Sequence, residues 1–192
     1  GRMNAEETPI QPVRGAPDYY CDLKMDEQEM VASFVDALRA VEGEAYVIAS
    51  QGALEERFLS VLQRFEAKRV IRSSQLFLEK LGLDEMIQKA GAALDVWSPA
   101  RSPEANIAAA AQADIGITGA DFAVANTGTL ALFSGSEQGR SISLLPLTHI
   151  AIFHKSALVP RLGLVLNRVK EMEAQGLEPS SLNFITGPSR SS

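Results

Sequence analysis

The sequence predicts an α/β fold: a mostly parallel central sheet flanked by helices, with an antiparallel extension toward the C-terminus. Three observations carry this. Up to residue 118, short apolar runs alternate with amphipathic helical stretches, the rhythm of β-α units that lay strands in parallel. After residue 118 three apolar runs follow one another with no helical stretch between them, so these strands pair at least partly antiparallel. The chain is 192 residues long and 46% hydrophobic, which suits one compact domain with a core of its own.

Taken in order, residues 1–25 hold Pro9, Pro12 and Pro17 without a periodic apolar pattern and read as an extended or disordered arm, tacked to the body by Tyr19 and Tyr20. The domain proper spans 26–192. Asp26, with Glu29 three residues on, has the form of a capping box. The helix it opens carries Met30, Phe34, Ala37, Leu38 and Val41 on one face, and Gly43 stops it. Ala45 to Ser50 reads as a buried strand, and Ala53 to Ala67 as a helix with Leu54, Phe58, Val61, Leu62 and Phe65 inward. Lys68 to Arg72 is a strand, followed by helical stretches around Leu76–Leu81 and Glu85–Ala90, then a strand at Leu94–Ser98.

Ser102-Pro103-Glu104 is a helix start, with a cap, a first-turn proline and an acid near the positive end of the helix dipole. The alanine-rich Ala105–Ala113 that follows packs closely on a sheet. Asp114 to Thr118 is a strand, and a tight connection through Ala123 to Gly128 leads to a second at Thr129–Phe133. Ile142–Leu145 and Ile150–Phe153 complete the strands. Ser156 opens the last helix, with Pro160 in its first turn and Gly176 at its end.

Composition excludes several functions. A net charge of −6 and a pI near 5.0 argue against nucleic acid as a partner, because phosphate-backbone binding needs a basic face. The longest apolar runs fall far short of the ~20 residues of a membrane span. The start lacks the charged and apolar regions of a secretory signal. The single cysteine, Cys21, rules out an internal disulfide framework or a multi-cysteine metal or iron–sulfur site, and fits a reducing, cytoplasmic setting. Phosphate-loop, dinucleotide, nucleophile-elbow and zinc-helix signatures are all missing. His149 and His154 are five apart on a predicted strand, facing opposite sides, so no joint metal site is expected.

In open α/β sheets ligands sit at the carboxyl ends of parallel strands where the topology changes. Here that change falls on residues 118–129, which makes Thr118, Gly119, Asp121, Asn126, Thr127, Gly128 and Thr129 the default site. The predicted parallel strands end in hydroxyl residues, Ser50, Ser73 with Ser74, Ser98 and Thr118, which serve either as caps or as ligand contacts. Asp121 fits a general base, a hydroxyl acceptor or a turn cap. His149 opens a strand beside the site and titrates near neutral pH. Arg140, after a glycine in a polar loop, suits either a carboxylate or phosphate fork or a solvated turn charge.

Three blocks, Ala113-Asp-Ile-Gly-Ile-Thr-Gly-Ala-Asp-Phe-Ala-Val-Ala-Asn-Thr-Gly-Thr-Leu130, Gly139-Arg-Ser-Ile-Ser-Leu-Leu-Pro-Leu-Thr-His-Ile150 and Phe184-Ile-Thr-Gly-Pro-Ser-Arg190, resemble in residues and order the LutC/YkgG family of lactate-utilisation (LUD-domain) proteins. The resemblance implies a NagB/RpiA/CoA-transferase-like fold. It also implies a role in oxidising L-lactate to pyruvate beside partner subunits that carry iron–sulfur clusters, with no cofactor on this chain. The candidate site then gathers Asp121 and His149 as catalytic groups. Its ligand-binding set is Thr118, Gly119, Asn126, Thr127, Gly128, Thr129, Arg140, Ser141, Thr148, Gly187, Ser189 and Arg190, arranged around a small anion. Alternatives on the same fold are a free-standing sugar-phosphate or acyl-thioester enzyme and a regulatory or scaffolding module. The sequence departs from the family pattern at Asn126, where a carboxylate is common. Family members also continue past the last block with an acidic segment and a closing strand, so either the chain is a truncated form or its sheet lacks an outer strand.

Overall fold

The computed structural model describes residues 23–177 and 179–188. The first 22 residues of the predicted arm, Cys21 among them, lie outside the described residues, as do Ser189 and Arg190.

The first helix, α1 (Glu27–Ala40), starts with the capping box: Glu29 N–H donates to the Asp26 carboxylate at 2.8 Å, and Asp26 N–H donates to the Glu29 carboxylate at 2.9 Å. The next helix, α2 (Gln51–Arg64), leads to β1 (Arg69–Arg72), and two short helices, α3 (Leu76–Glu79) and α4 (Leu83–Lys89), lead to β2 (Ala93–Val96). After it α5 (Pro103–Gln112), capped by the Ser102 hydroxyl, brings the chain to β3 (Ile115–Thr118). A short helix, α6 (Ser141–Leu144), precedes β6 (Thr148–Ala151), and these strands form an all-parallel sheet in the order β2-β1-β3-β6.

A second, mixed sheet has the order β7-β4-β5-β8, built from β4 (Phe122–Val124), β5 (Thr129–Ser134), β7 (Leu158–Val159) and β8 (Ser181–Thr186). Here β5 runs antiparallel to both β4 and β8, while β4 and β7 are parallel. Helix α7 (Leu162–Ala174) connects β7 to β8. The fold class is as the sequence predicted, with the antiparallel extension forming a sheet of its own.

Alternation along the strands explains the layers. One face of the parallel sheet (Val70, Ile115, Ile117) packs on Phe58 and Leu62 of α2 and on Leu83, Met86 and Ile87 of α4. The opposite face (Ile71) meets Ala110 of α5 and Ile142 of α6. The mixed sheet packs Ala123, Leu130 and Leu132 against Phe34 of α1 on one side, and Val124 and Ala131 against Val165 of α7 on the other. Gly116 is where α6 comes closest, since a Cβ there would lie 1.9 Å from the Ile142 carbonyl oxygen.

Several predicted elements differ. Residues 45–50 do not form a buried strand: Tyr46, Val47 and Ile48 are 43%, 57% and 36% exposed. Both edges of β1 are already taken, by β2 and β3, so this run has no partner edge there. Arg57 stacks on Tyr46 at 4.4 Å, and Ser50 caps α2 instead of ending a strand. Residues 142–145 fall in and just after α6, because only Ile142 finds core while Leu144 and Leu145 stay exposed. That helix supplies the crossover which makes β6 parallel to β3. The segment read as a connection at 119–128 contains β4. The last helix begins at Leu162, because Leu158–Val159 pair with Ala123–Val124 and Pro160 lies just ahead of the Arg161 cap. Strand β8 had not been foreseen.

Candidate functional site

The β4–β5 hairpin divides the predicted site into two groups. At one end the turn 125–128 and the end of β8 pack on the C-terminal part of α1. Gly128 and Gly187 both have positive φ, and a Cβ would meet the Leu38 backbone at 2.6 Å in the first case and the Val41 side chain at 2.5 Å in the second. Here the Thr127, Thr129 and Thr186 hydroxyls form a chain with spacings of 2.8 and 2.7 Å. Asn126 is exposed, and its N–H donates to the Pro160 carbonyl at 3.3 Å.

The other group lies at the opposite end of β5, about 17 Å away by the rise of its strand. Thr118, fully buried at the carboxyl end of β3, shares a 2.8 Å hydrogen bond with His149 Nε2 of the neighbouring strand. Burial lowers the His149 pKa from 6.5 to about 4, leaving the imidazole neutral at physiological pH. So weak a base is better suited to orienting the Thr118 hydroxyl than to abstracting protons. Thr148 N–H donates to the Asp114 carbonyl at 3.2 Å, holding the start of β6 in register.

Gly119 N–H donates to Gln75 Oε1 at 2.8 Å, and the Ser73 hydroxyl donates to the same oxygen at 2.9 Å. The Gly119 amide is therefore engaged within the protein. Asp121 accepts the Phe133 N–H at 2.7 Å and closes the open end of the hairpin. Burial raises its pKa against the opposing pull of its backbone hydrogen bonds.

Above this end, the loop after β5 folds over the carboxyl ends of the parallel strands. Ser74 N–H and its hydroxyl both donate to the Glu137 carbonyl, at 2.9 and 3.2 Å, and Gly135 N–H donates to the Gln138 carbonyl at 3.0 Å. Gly139 lies against the Trp97 indole, so near that a Cβ would come within 2.0 Å of the ring. Between the loop, Trp97 and the adjoining ends of β5 and β8 is a cleft of about 290 Å³, lined by Trp97, Ser134, Gly135, Gln138, Gly139, Arg140, Ser180 and Ser181.

Arg140 is exposed at this cleft and pairs with no carboxylate among the described residues. Two buried atoms nearby in sequence, Gln138 Oε1 and Ser141 Oγ, have no hydrogen-bond partner among the described residues. A second hollow of about 400 Å³ lies between α1, α2 and the segment 45–48, and contains none of the predicted site residues. Of the predicted set, then, Arg140 lines the cleft and Ser141 follows it in the chain. Thr118 at the carboxyl end of β3 meets His149 near the start of β6, and Asn126, Thr127, Gly128, Thr129 and Gly187 gather at the far end of the hairpin.

Sequence reasoning missed Trp97, Ser134, Gln138, Ser180 and Ser181 as cleft residues. One signal was available for Trp97: it is the only tryptophan and lies near the carboxyl end of the strand predicted at Leu94–Ser98. Nothing local marked the serines, which reach the cleft only through the pairing of β5 with β8.

The architecture is thus a helix-covered parallel sheet beside a mixed sheet, with a polar cleft where the loop after β5 meets Trp97. The chain belongs to the LUD domain family, whose profile matches residues 31–192. It is 41% identical over 139 residues to lactate utilization protein C of Halalkalibacterium halodurans, covering 72% of this chain and 59% of that protein. It is 32% identical to lactate utilization protein C of Shouchella clausii across 100% of this chain and 82% of that one. The crystal structure of a DUF162 family protein from Deinococcus radiodurans superposes with a TM-score of 0.61, covering 85% of this chain and 90% of that chain at 22% identity, and so shares the fold. Among the described residues no helix is long and apolar enough to cross a membrane.

Proposed function

We propose that this chain is the non-cluster subunit of a cytoplasmic complex oxidising L-lactate to pyruvate, and that the cleft at Arg140 holds a small carboxylate. The observation that carries the reading is the similarity to lactate utilization protein C along the whole chain. The cleft adds a chemical reason. Arg140 offers a planar, always charged fork that pairs with no carboxylate among the described residues, the group that recognises carboxylates with two parallel hydrogen bonds. Thr118, at the carboxyl end of β3, and His149 form a neutral hydrogen-bonded pair.

Iron–sulfur clusters would sit on partner subunits. One cysteine cannot supply the thiolates such clusters need, and no cluster of three or more His, Cys, Asp or Glu side chains suited to a metal occurs among the described residues. The clusters would supply the electron transfer. This chain's residues would bind and orient the anion.

The test is affinity capture of the tagged protein from its native host, with the eluate assayed for iron and for lactate-dependent dye reduction. Co-purifying iron–sulfur proteins with lactate activity are the expected outcome. An iron-free single chain without that activity would contradict the proposal.

A further inference from the structure

The run Ala45–Ala49 joins α1 to α2 without entering either sheet. None of its backbone N–H or C=O groups pairs with another backbone group among the described residues. Tyr46, Val47 and Ile48 are exposed, and with Val35 of α1 and Ala53 of α2 they line the hollow of about 400 Å³. Arg57 of α2 stacks on the Tyr46 ring and holds the run in place. Aromatic and β-branched side chains favour strands, and an unpaired backbone of this composition is a template for another strand. Such edges are ordinarily guarded by a charged residue, a proline or a covering element. Ala45–Ala49 has neither charge nor proline, and Tyr46 to Ala49 lie exposed.

We infer that this run is a docking edge for the same run of a second copy, the two paired antiparallel about a two-fold axis. The pattern is self-complementary. Centred on Val47, the pairing sets Ala45 against Ala49 and Tyr46 against Ile48, so small faces small and large faces large. Charge fits the same register. Glu44 of each copy comes opposite Ser50 of the other, the cap of α2. The first turn of α2 holds no acidic residue, so the incoming carboxylate meets the positive end of a helix that lacks one of its own. Residues 45–54 carry no charge, so two copies of a chain with net charge −6 meet there without setting like charges together along the paired run. Backbone groups alone would accept any strand. The matched side chains and the place of Glu44 favour the chain's own run.

The edge is separate from the cleft at Arg140, so its test does not depend on what that cleft holds. The experiment is sedimentation velocity of the full chain over a concentration series, with Val47→Pro, Ile48→Pro and Leu147→Lys alongside. Successive N–H groups of a strand point to opposite edges, so one of the two prolines removes a donor from the pairing whichever edge is used. The unmodified chain should form a dimer as concentration rises. One proline variant should raise the dimer dissociation constant at least about tenfold, the scale of the hydrogen bonds lost. Leu147→Lys, which charges an exposed leucine outside the run, should leave it unchanged. A monomer throughout the series would overturn the inference and leave the edge to another protein's strand. A dimer that both proline variants keep, one that Leu147→Lys dissociates, or an open-ended series of larger species would overturn it too. Should the proline variants fail to fold, hydrogen exchange on the unmodified chain decides. Amides within 45–49 should gain protection as the dimer forms, and equal exchange in monomer and dimer would overturn the pairing.

Discussion

His149 and Asp121 are held at opposite extremes by the same cause. Burial disfavours charge on each, lowering the imidazole to about 4 and raising the carboxyl above its ordinary 3.8. The consequences for stability have opposite signs. Between pH 6.5 and 4 an unfolded chain takes up a proton on His149 that the folded chain refuses, so stability falls as the pH drops through this window. The contribution is on the order of 2–3 kcal/mol. For Asp121 the folded state holds its proton longer, so stability falls as the pH rises above 3.8.

Thermal unfolding of His149→Asn against the unmodified chain from pH 7 to 4 should show the difference between them shrinking or reversing in acid. A constant difference would mean that the imidazole is not held neutral. Asp121→Asn keeps an oxygen for the Phe133 amide and removes the buried charge, so its stability at pH 7 should match or exceed that of the unmodified chain. Asp121→Ala should lose about 1–2 kcal/mol by leaving that amide without its acceptor.

At the scale of elements, the seat of α6 on β3 is the contact with least room. Gly116→Ala would drive a methyl to 1.9 Å from a backbone oxygen, and α6 must lift to admit it. The expected loss is about 1–3 kcal/mol in urea unfolding. An unchanged midpoint would mean that α6 does not rest where Gly116 places it. Elements whose signals are local were legible in the sequence: the Asp26–Glu29 box, the Ser102 cap and the buried β3 each formed as read. What escaped depended on partners distant in sequence. The run 45–48 has strand composition but pairs with no strand of either sheet. Strand β8 has an exposed Phe184 and a weak alternation, and forms because β5 offers it a full antiparallel edge. Read alone, the uncharged run 142–145 is as compatible with a buried strand as with a turn of helix.

On the scale of the molecule, two sheets meet so that the carboxyl ends of the parallel strands face a loop delivered by the mixed one. The rule for open α/β sheets pointed to the carboxyl ends of the parallel strands, the end over which the loop after β5 folds. It did not foresee that the hairpin would carry residues 126–129 to its far end, or that the loop 134–140 would bring Arg140 across to Trp97. The central claim, that this cleft serves lactate oxidation, is tested most directly by lactate-dependent dye reduction in the captured complex carrying Arg140→Ala. With the partners still co-purifying, activity at limiting lactate should fall about tenfold or more, the loss of a charge-assisted contact of roughly 1.5–3 kcal/mol. Full activity in an intact complex would contradict the account.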